Sequence, residues 1–231
     1  MNHFGFRVAS FREHNLSALH KFGSNPSLNN LTFETIWSTG GLYPWASLSS
    51  AQTIYCISTG ADTGDLKVEG LDANYNLQTE TKTLTGTSAV TLDNTFLRIF
   101  RMQYISASDN AGTITARVTS GTGTVVAQID AGLNQTLMCV YTVPDHCSAF
   151  LVDYTASCEK GGDAEIRFLA REPSGGFQIK NEVQVYETTS SKEFPVPMYF
   201  PSKTDIDVRA LTSNSGGNAV IFDFNLILEE R

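Results

Sequence analysis

The clearest indication of the fold is the stretch Thr136-Leu-Met-Cys-Val-Tyr-Thr-Val-Pro-Asp-His-Cys-Ser-Ala-Phe-Leu-Val-Asp-Tyr-Thr-Ala-Ser-Cys158. A run of β-branched and aromatic residues ends at Val143, and the Pro144-Asp145 pair that follows is typical of a turn. A second run of strand-forming residues then leaves the turn. The same alternation of short strand and tight turn continues to the C-terminus. The sequence therefore predicts an all-β fold, and this stretch contains no catalytic motif.

The composition is that of a globular β protein. Hydrophobic residues make up 41% of the 231 residues, and charged residues make up only 17%, below the usual share of about a quarter. The net charge is −8 and the 16 Lys and Arg residues are scattered, whereas nucleic-acid binding needs clustered cations. We therefore expect no nucleic-acid partner. No apolar run resembles a secretory signal or a membrane span, so no membrane partner is expected either.

The sequence gives no indication of a cofactor or a metal site. Four cysteines occur, without a CxxC pair: Cys56, Cys139, Cys147 and Cys158. We expect them to be reduced and to serve as small core residues. A hairpin that brings Cys147 opposite Cys158 is an alternative that the sequence leaves open.

Three regions separate along the chain. Residues 1–45 are irregular and predict an N-terminal extended arm and linker. Residues 46–134 contain short strand candidates separated by Gly, Asn and Asp turns, which predicts a first β-sandwich unit. Residues 135–231 contain seven or eight strand candidates and predict a second, jelly-roll-like sandwich unit.

The arm contains two patterns. Three apolar residues alternate with other residues and predict a strand with one apolar face: Phe4, Phe6 and Val8. Ser10 and Glu13 have the spacing of a capping box, and apolar residues follow at intervals of three. This second pattern predicts a short helix from about Phe11 to Lys21.

Two strands of the second unit have distinct expected positions. The last strand alternates large apolar residues with others, so one of its faces is expected to be buried: Val220, Phe222, Phe224, Leu226 and Leu228. The run Phe194–Phe200 is interrupted by prolines, which cannot donate to a ladder. We therefore expect that run at the edge of a sheet.

Aromatic residues close the arm region. Both tryptophans of the chain lie here, beside a tyrosine: Trp37, Tyr43 and Trp45. Large aromatic side chains dominate buried contacts, so these residues are expected to anchor the arm. Stacking on sugar rings is the alternative.

Other motifs have simpler structural interpretations. Asp72-Ala-Asn-Tyr-Asn76 opens like a calcium loop but lacks the required Gly and Glu, which favours a plain turn. His146 and Cys147 are adjacent at a turn, where their side chains are expected to diverge. Asp205 and Asp207 share one face of a strand; they would suit acid–base chemistry on a glycan, although a solvated strand face is the simpler interpretation.

Several stretches resemble virion structural proteins of tailed bacteriophages. They include Gly41-Leu-Tyr-Pro-Trp45, Val68–Thr87 and Phe96–Arg101, together with Tyr141–Pro144, Phe194–Pro197 and Thr204–Ala210, and they span much of residues 41–231. The resemblance implies a particle component such as a head decoration (cement) protein or a tail part. It implies no catalytic residue.

The sequence-based hypothesis is a non-enzymatic capsid decoration protein located in the virion, which assembles in the host cytoplasm. It is expected to be a homo-oligomer that contacts other virion proteins, above all the major capsid protein. The expected partner-binding residues are Phe4, Phe6, Val8, Phe11, Trp37, Tyr43 and Trp45. The alternative is a receptor- or glycan-binding tail or fibre module.

Overall fold

The chain folds into two units that are not consecutive along the sequence. A computed structural model describes residues 3–10, 13–214 and 217–231. Residues 1–36 and 139–231 form one unit, here the jelly-roll unit, and Trp37–Met138 forms the other, here the inserted unit. The predicted all-β class is confirmed.

Nearly all regular structure in the described residues is β-strand. One α-helix, α1, spans His3–Ala9, and a 3-10 helix spans Trp45–Leu48. The strands are β1 Leu16–Asn25, β2 Glu34–Thr35, β3 Gln52–Ser58, β4 Asp65–Leu71, β5 Leu77–Thr83, β6 Val90–Phe96, β7 Arg98–Ile105, β8 Ile114–Val118, β9 Val125–Ile129, β10 Val140–Thr142, β11 Cys147–Cys158, β12 Asp163–Arg171, β13 Gln178–Tyr186, β14 Thr189–Phe200, β15 Asp205–Leu211 and β16 Val220–Glu230.

The jelly-roll unit consists of two antiparallel sheets packed face to face. One sheet has the order β1-β16-β11-β14, and the other has the order β10-β15-β12-β13, with β2 also paired to β15. Aromatic rings join the sheets: the ring of Phe168 lies 5.3 Å from that of Phe224 and 5.9 Å from that of Phe200. Strands that alternate between two four-position sheets form a jelly roll.

One strand position of the jelly roll is built from two separate segments. The segments β2 and β10 pair with successive parts of β15. Between them, the Ile36 amide donates to Val208 O at 2.8 Å, and the Val208 amide donates to Cys139 O at 3.1 Å. The Cys139 amide also donates to Ile36 O at 2.9 Å. The inserted unit therefore leaves and re-enters the jelly roll at one hydrogen-bonded point.

The inserted unit is also a two-sheet antiparallel structure, with strand orders β6-β3-β8-β9 and β5-β4-β7. Its loops are held by a buried carboxylate. Asp62 accepts hydrogen bonds from the Ser58 hydroxyl at 2.5 Å and from the amides of Ala111 and Gly112 at 2.7 and 3.0 Å. These bonds tie the turn after β3 to the turn before β8.

Two expectations for the C-terminal strands are confirmed. In β16 the side chains of Phe222, Phe224 and Leu226 are buried, whereas their neighbours are partly or largely exposed. Strand β14 lies at the end of its sheet, as its prolines predicted.

The secondary structure predicted for the arm is wrong. Residues 4–8 were predicted as a strand but lie in the helix α1. The prediction failed because apolar residues at a spacing of two over so short a run do not distinguish a strand from a helix. The predicted helix from Phe11 to Lys21 is largely replaced by strand β1. The inward positions of β1 include Lys21, Gly23 and Asn25, so its buried face has no apolar period.

Residues 1–45 are therefore not a separate arm. Strand β1 pairs along its full length with β16, and β2 pairs with β15. The structure thus assigns residues 16–36 to the C-terminal unit, whereas the sequence predicted boundaries of 1–45, 46–134 and 135–231. Sequence patterns do not show long-range strand pairing, which decides where this unit ends.

Candidate interaction surfaces

The three aromatic residues expected to anchor the arm form one cluster inside the inserted unit. Trp37 and Tyr43 meet edge-on with ring centroids 5.3 Å apart, and Tyr43 and Trp45 meet edge-on at 4.7 Å. All three are buried. The Trp37 indole donates to Gly40 O at 2.9 Å, and the Tyr43 hydroxyl donates to Ile99 O at 3.2 Å. The cluster therefore packs within its own unit and presents no aromatic platform to solvent.

The other expected partner-binding residues are at the N-terminus. Phe4, Phe6 and Val8 belong to α1, and the side chain of Val8 is buried. Phe11 lies outside the described residues. The partner-binding role of this set stays a prediction, and the buried members would first have to be uncovered.

The paired carboxylates of β15 are neither free nor solvated. Asp205 and Asp207 are both buried. Arg171 Nη2 lies 2.6 Å from Asp205 Oδ2, and Arg209 Nη2 lies 2.8 Å from Asp207 Oδ2. Both guanidinium groups also lie over the ring of Phe177, at 4.6 and 4.8 Å. The other carboxylate oxygens accept hydroxyl hydrogen bonds from Thr142 and Thr35.

This arrangement is a structural ion-pair ladder. The expectation of a solvated acidic face is wrong, because arginine pairing lets the strand bury both acids. Acid–base chemistry on a glycan needs carboxyl oxygens that reach a substrate, and these oxygens are occupied by arginine and threonine donors.

The two ends of β11 carry the cysteines for which a hairpin pairing was left open. Cys147 and Cys158 are the first and last residues of this single strand, and all four cysteines are free. At about 3.3 Å per residue, a strand of this length separates them by more than 30 Å, whereas a disulfide needs Cα atoms within about 7 Å. That pairing is excluded.

Cys147 also lacks the features of a nucleophile. Burial raises the pKa of its thiol, and Glu230 and Asp145 raise it further. A raised pKa leaves less thiolate at neutral pH. The neighbouring His146 is exposed and adopts φ 61° in the turn.

The Asp72 loop is a plain turn, as predicted. Asp72 Oδ1 accepts hydrogen bonds from the amides of Asn74 and Asn76 at 2.7 and 2.9 Å. Among the described residues, no group of three or more His, Cys, Asp or Glu side chains has the arrangement of a metal site. In the same part of the chain, no helix is both long and apolar enough to cross a membrane.

Several exposed apolar side chains lie on two edge strands of the jelly-roll unit. Strands β13 and β14 end the two sheets, and Lys192 Nζ on β14 donates to Asn181 Oδ1 on β13 at 2.9 Å. Four large apolar or aromatic residues on these strands are exposed, here called the β13–β14 surface: Ile179, Tyr186, Val196 and Tyr199. Val196 is the most exposed, at 83%.

The sequence analysis did not single out the β13–β14 surface. The one feature of the sequence that indicated this surface was the proline-interrupted run Phe194–Phe200. It predicted an edge strand but did not predict that the strand exposes apolar side chains. An edge strand offers unpaired backbone groups to a partner, and the exposed apolar side chains on these two strands make them a candidate interaction surface.

The comparisons with known proteins give little further information. No protein-family model matches the sequence, and no curated protein does. A structure of the infectious bursal disease virus Gt strain is 10% identical, covering 94% of this chain and 77% of that chain, with a TM-score of 0.20. The VP2 subviral particle of infectious bursal disease virus is 10% identical, covering 100% and 83%, with a TM-score of 0.21. Similarity this weak shows neither a shared fold nor a shared function.

Proposed function

We propose that this chain is a structural protein of a bacteriophage virion, and specifically a capsid decoration (cement) protein that binds the outer shell. The observation that carries the proposal is a jelly roll whose two edge strands expose large apolar side chains. Jelly rolls build viral capsid domains as well as lectin domains. The jelly roll supports a structural role in a virion by analogy of fold alone. The sequence resemblance to phage virion proteins supports the same role.

The proposed mechanism is surface burial repeated over many copies. A contact of standard size buries about 800 Å² on each partner. Copies arranged with closed symmetry bind together, so that effective concentration raises the total strength. The proposed partners are the major capsid protein and further copies of this chain.

The β13–β14 surface replaces the N-terminal strand as the proposed docking element. The sequence predicted residues 4–8 as a strand with one apolar face, but these residues form α1. Exposed apolar side chains need no rearrangement before they contact a partner. Under this proposal the chain is located in the virion and is not an enzyme.

The alternative, a receptor- or glycan-binding tail module, predicted solvent-facing tryptophans. Trp37 and Trp45 are 3% and 8% exposed, so that specific expectation is not met. A jelly roll by itself does not separate the two functions, since lectins use it too.

Rebinding to particles that lack this chain tests the proposal. Purified protein is mixed with such particles, and the bound fraction is measured by sedimentation and located by imaging. We expect saturable binding, weakened about tenfold or more by Val196→Asp, because a charge would be buried in the contact. Leu77→Asp is the matched control, since Leu77 is exposed in the inserted unit.

The outcomes separate the readings. Saturable shell binding that Val196→Asp weakens and Leu77→Asp does not supports the proposal, whereas no binding of the unmodified chain to shells would contradict it. Binding to tail fibres or to host-surface glycans in place of shells would favour the alternative.

A further inference from the structure

The β1-β16-β11-β14 sheet of the jelly-roll unit contains a groove that the proposed function does not use. Its volume is about 460 Å³. Of the described residues that line it, most are apolar and two are carboxylates: Gly5, Val152, Asp153, Glu193, Phe194, Pro195, Pro197 and Ile227.

The groove exists because the edge strand separates from its neighbour. Leu151 pairs with Met198, but Asp153 already pairs with Glu193. Val152 is therefore opposite the four residues 194–197 instead of one. Two of those four are prolines, which have no amide hydrogen to return to the ladder. The widened gap is therefore a regular structural feature of the edge strand, as β-bulges commonly are, and not a defect of pairing.

The two carboxylates are a like-charged pair. Asp153 and Glu193 are directly opposite each other in the β11–β14 register, an arrangement that destabilises a sheet. Asn225 Nδ2 donates to Asp153 Oδ1 at 2.6 Å, which stabilises that carboxylate without neutralising it. Among the described residues no Lys or Arg forms an ion pair with either acid. The nearby Lys192 instead donates to Asn181 and lies over the ring of Phe194.

The lining suits a long cationic side chain. Lys and Arg bury their aliphatic stems on apolar surface while the charged group remains with polar partners. The prolines and Phe194 supply that apolar surface, and the two carboxylates lie within the same groove. A guanidinium forms strong paired hydrogen bonds with carboxylates. On the α1 side, Gly5 has no side chain, and among the described residues no atom outside its own helix backbone lies within 4 Å of its Cβ position.

We propose that this groove binds a lysine or arginine side chain from an apolar-flanked segment of a partner protein. The inference rests on the proposed function, because it names the chemistry by which a shell partner would be recognised. Charge complementarity selects that partner. This chain carries a net charge of −8, so a basic segment of a shell protein is attracted to the acid pair.

The test uses the full chain and defined peptides. Isotope-labelled protein is titrated with acetyl-Pro-Leu-Arg-Leu-Pro-amide, and amide shifts are followed by NMR. We expect shifts at Val152, Asp153 and Glu193, and weaker binding at high salt. The same peptide with Glu in place of Arg is the ligand control and is expected to give no shifts.

Matched variants locate the contribution of the acids. The double variant Asp153→Asn, Glu193→Gln is expected to weaken binding of the arginine peptide about tenfold. Glu172 is an exposed acid of the same unit that lies outside the groove, so Glu172→Gln is expected to leave binding unchanged. The double variant should melt at the same temperature as the unmodified chain or higher, since a like-charged pair has been removed. Weakened binding by a variant that has kept its stability supports the proposal.

Other results overturn it. Equal shifts with the Arg and Glu peptides, or no shifts with either, would show that the groove does not recognise a cation. Self-association abolished by the double variant would identify a second copy as the occupant. Shell binding without peptide binding would rule out this inference and leave the proposed function standing. Peptide binding without shell binding would rule out the proposed function and leave the groove as a site for a cationic side chain.

Discussion

The two units differ in how the chain supplies their strands. The inserted unit is one continuous segment, whereas the jelly-roll unit is assembled from two segments that flank it. Pairings such as β1 with β16 join residues about two hundred positions apart, and long-range pairing is intrinsically slow to form. The comparison indicates that the inserted unit can fold from one continuous segment, whereas folding of the jelly-roll unit requires both the N-terminal and the C-terminal segments of the chain.

The tryptophans allow this difference to be measured. Both tryptophans of the chain lie in the inserted unit, so tryptophan fluorescence follows that unit alone. Far-ultraviolet circular dichroism follows both units. A change that affects one unit should therefore separate the two signals.

The largest effect is expected from truncation after Ala219, which removes β16. This strand is central in its sheet, between β1 and β11, so its loss exposes two unpaired strands and the core. We expect circular dichroism to show loss of the jelly-roll unit while the tryptophan emission maximum stays unchanged. A shift of the emission maximum to that of the unfolded chain would show that the inserted unit is not independent.

Core truncations should give large but separable losses. Phe224→Ala removes a buried ring from the jelly-roll core, at a cost of about 3–5 kcal/mol. Ile54→Ala removes a buried aliphatic side chain from the core of the inserted unit, at a cost of about 2–5 kcal/mol. In thermal unfolding, only Ile54→Ala should lower the midpoint followed by tryptophan fluorescence. Equal lowering by both variants would indicate a single cooperative transition.

A smaller loss is expected from Gly23→Ala in β1. A Cβ at this position would lie 2.6 Å from Cys139 N and 2.7 Å from Ile36 O, where the two segments of the split strand meet. Backbone has to shift to make room, which costs about 1–3 kcal/mol. Denaturant unfolding followed by circular dichroism measures the loss. Gly5→Ala is the control, because in the part of the chain that the structure describes no atom outside the helix's own backbone lies within 4 Å of that Cβ.

Asp62 should make the inserted unit sensitive to acid. Burial alone raises the pKa of this carboxyl, but hydrogen bonds from Ser58 and from the amides of Ala111 and Gly112 outweigh it, so the pKa is lowered. A lowered folded-state pKa contributes stability above the unfolded-state pKa, and the contribution is lost as pH falls through the folded-state pKa. Asp62→Asn should therefore lower the fluorescence melting temperature at pH 7 and matter less in acid.

Asp223 should show the opposite sign in the jelly-roll unit, with the smallest effect. Burial raises its pKa, and Asp153 raises it further, whereas His20 lowers it. A raised carboxyl pKa gives stability that is present below the unfolded-state pKa and is lost as pH rises through the folded-state pKa. Asp223→Asn should thus raise the melting temperature slightly at pH 7 and leave it unchanged in acid. A lower melting temperature at pH 7 would contradict this assignment.

The all-β class and the last strand were predictable because their signals are local. In β16 Phe222 and Phe224 alternate with Asp223 and Asn225, which fixes the buried face, because a slip of one residue would bury Asp223. The prolines of β14 likewise identified an edge, since a missing amide excludes a central position.

Strand β1 was missed because its partners are not local. Its inward side chains include buried Lys21 and Asn25, so it lacks the apolar alternation by which strands are found. Asn25 Nδ2 donates to Glu34 Oε2 at 3.2 Å inside the unit. A polar strand of this kind is held by register with β16, which only the folded chain displays.

The candidate surfaces were only partly predictable. The sequence identified Trp37 and Trp45 as large aromatics that need a partner, and the structure shows that the partner is their own unit. The exposure of Val196 depends on how β14 departs from β11. A gap in a ladder between distant residues leaves no local trace in the sequence.

The split strand position makes this jelly roll a host for other chains. The stretch between Ile36 and Cys139 begins and ends at backbone groups 2.9 Å apart, and domains whose termini lie close together are the ones that tolerate transplantation. A compact domain with adjacent ends, such as an antigen or a reporter enzyme, should therefore be accepted in place of Trp37–Met138 without altering the register of β15. The junction between Ile36 and Cys139 is therefore a site at which a foreign domain can be inserted by gene fusion.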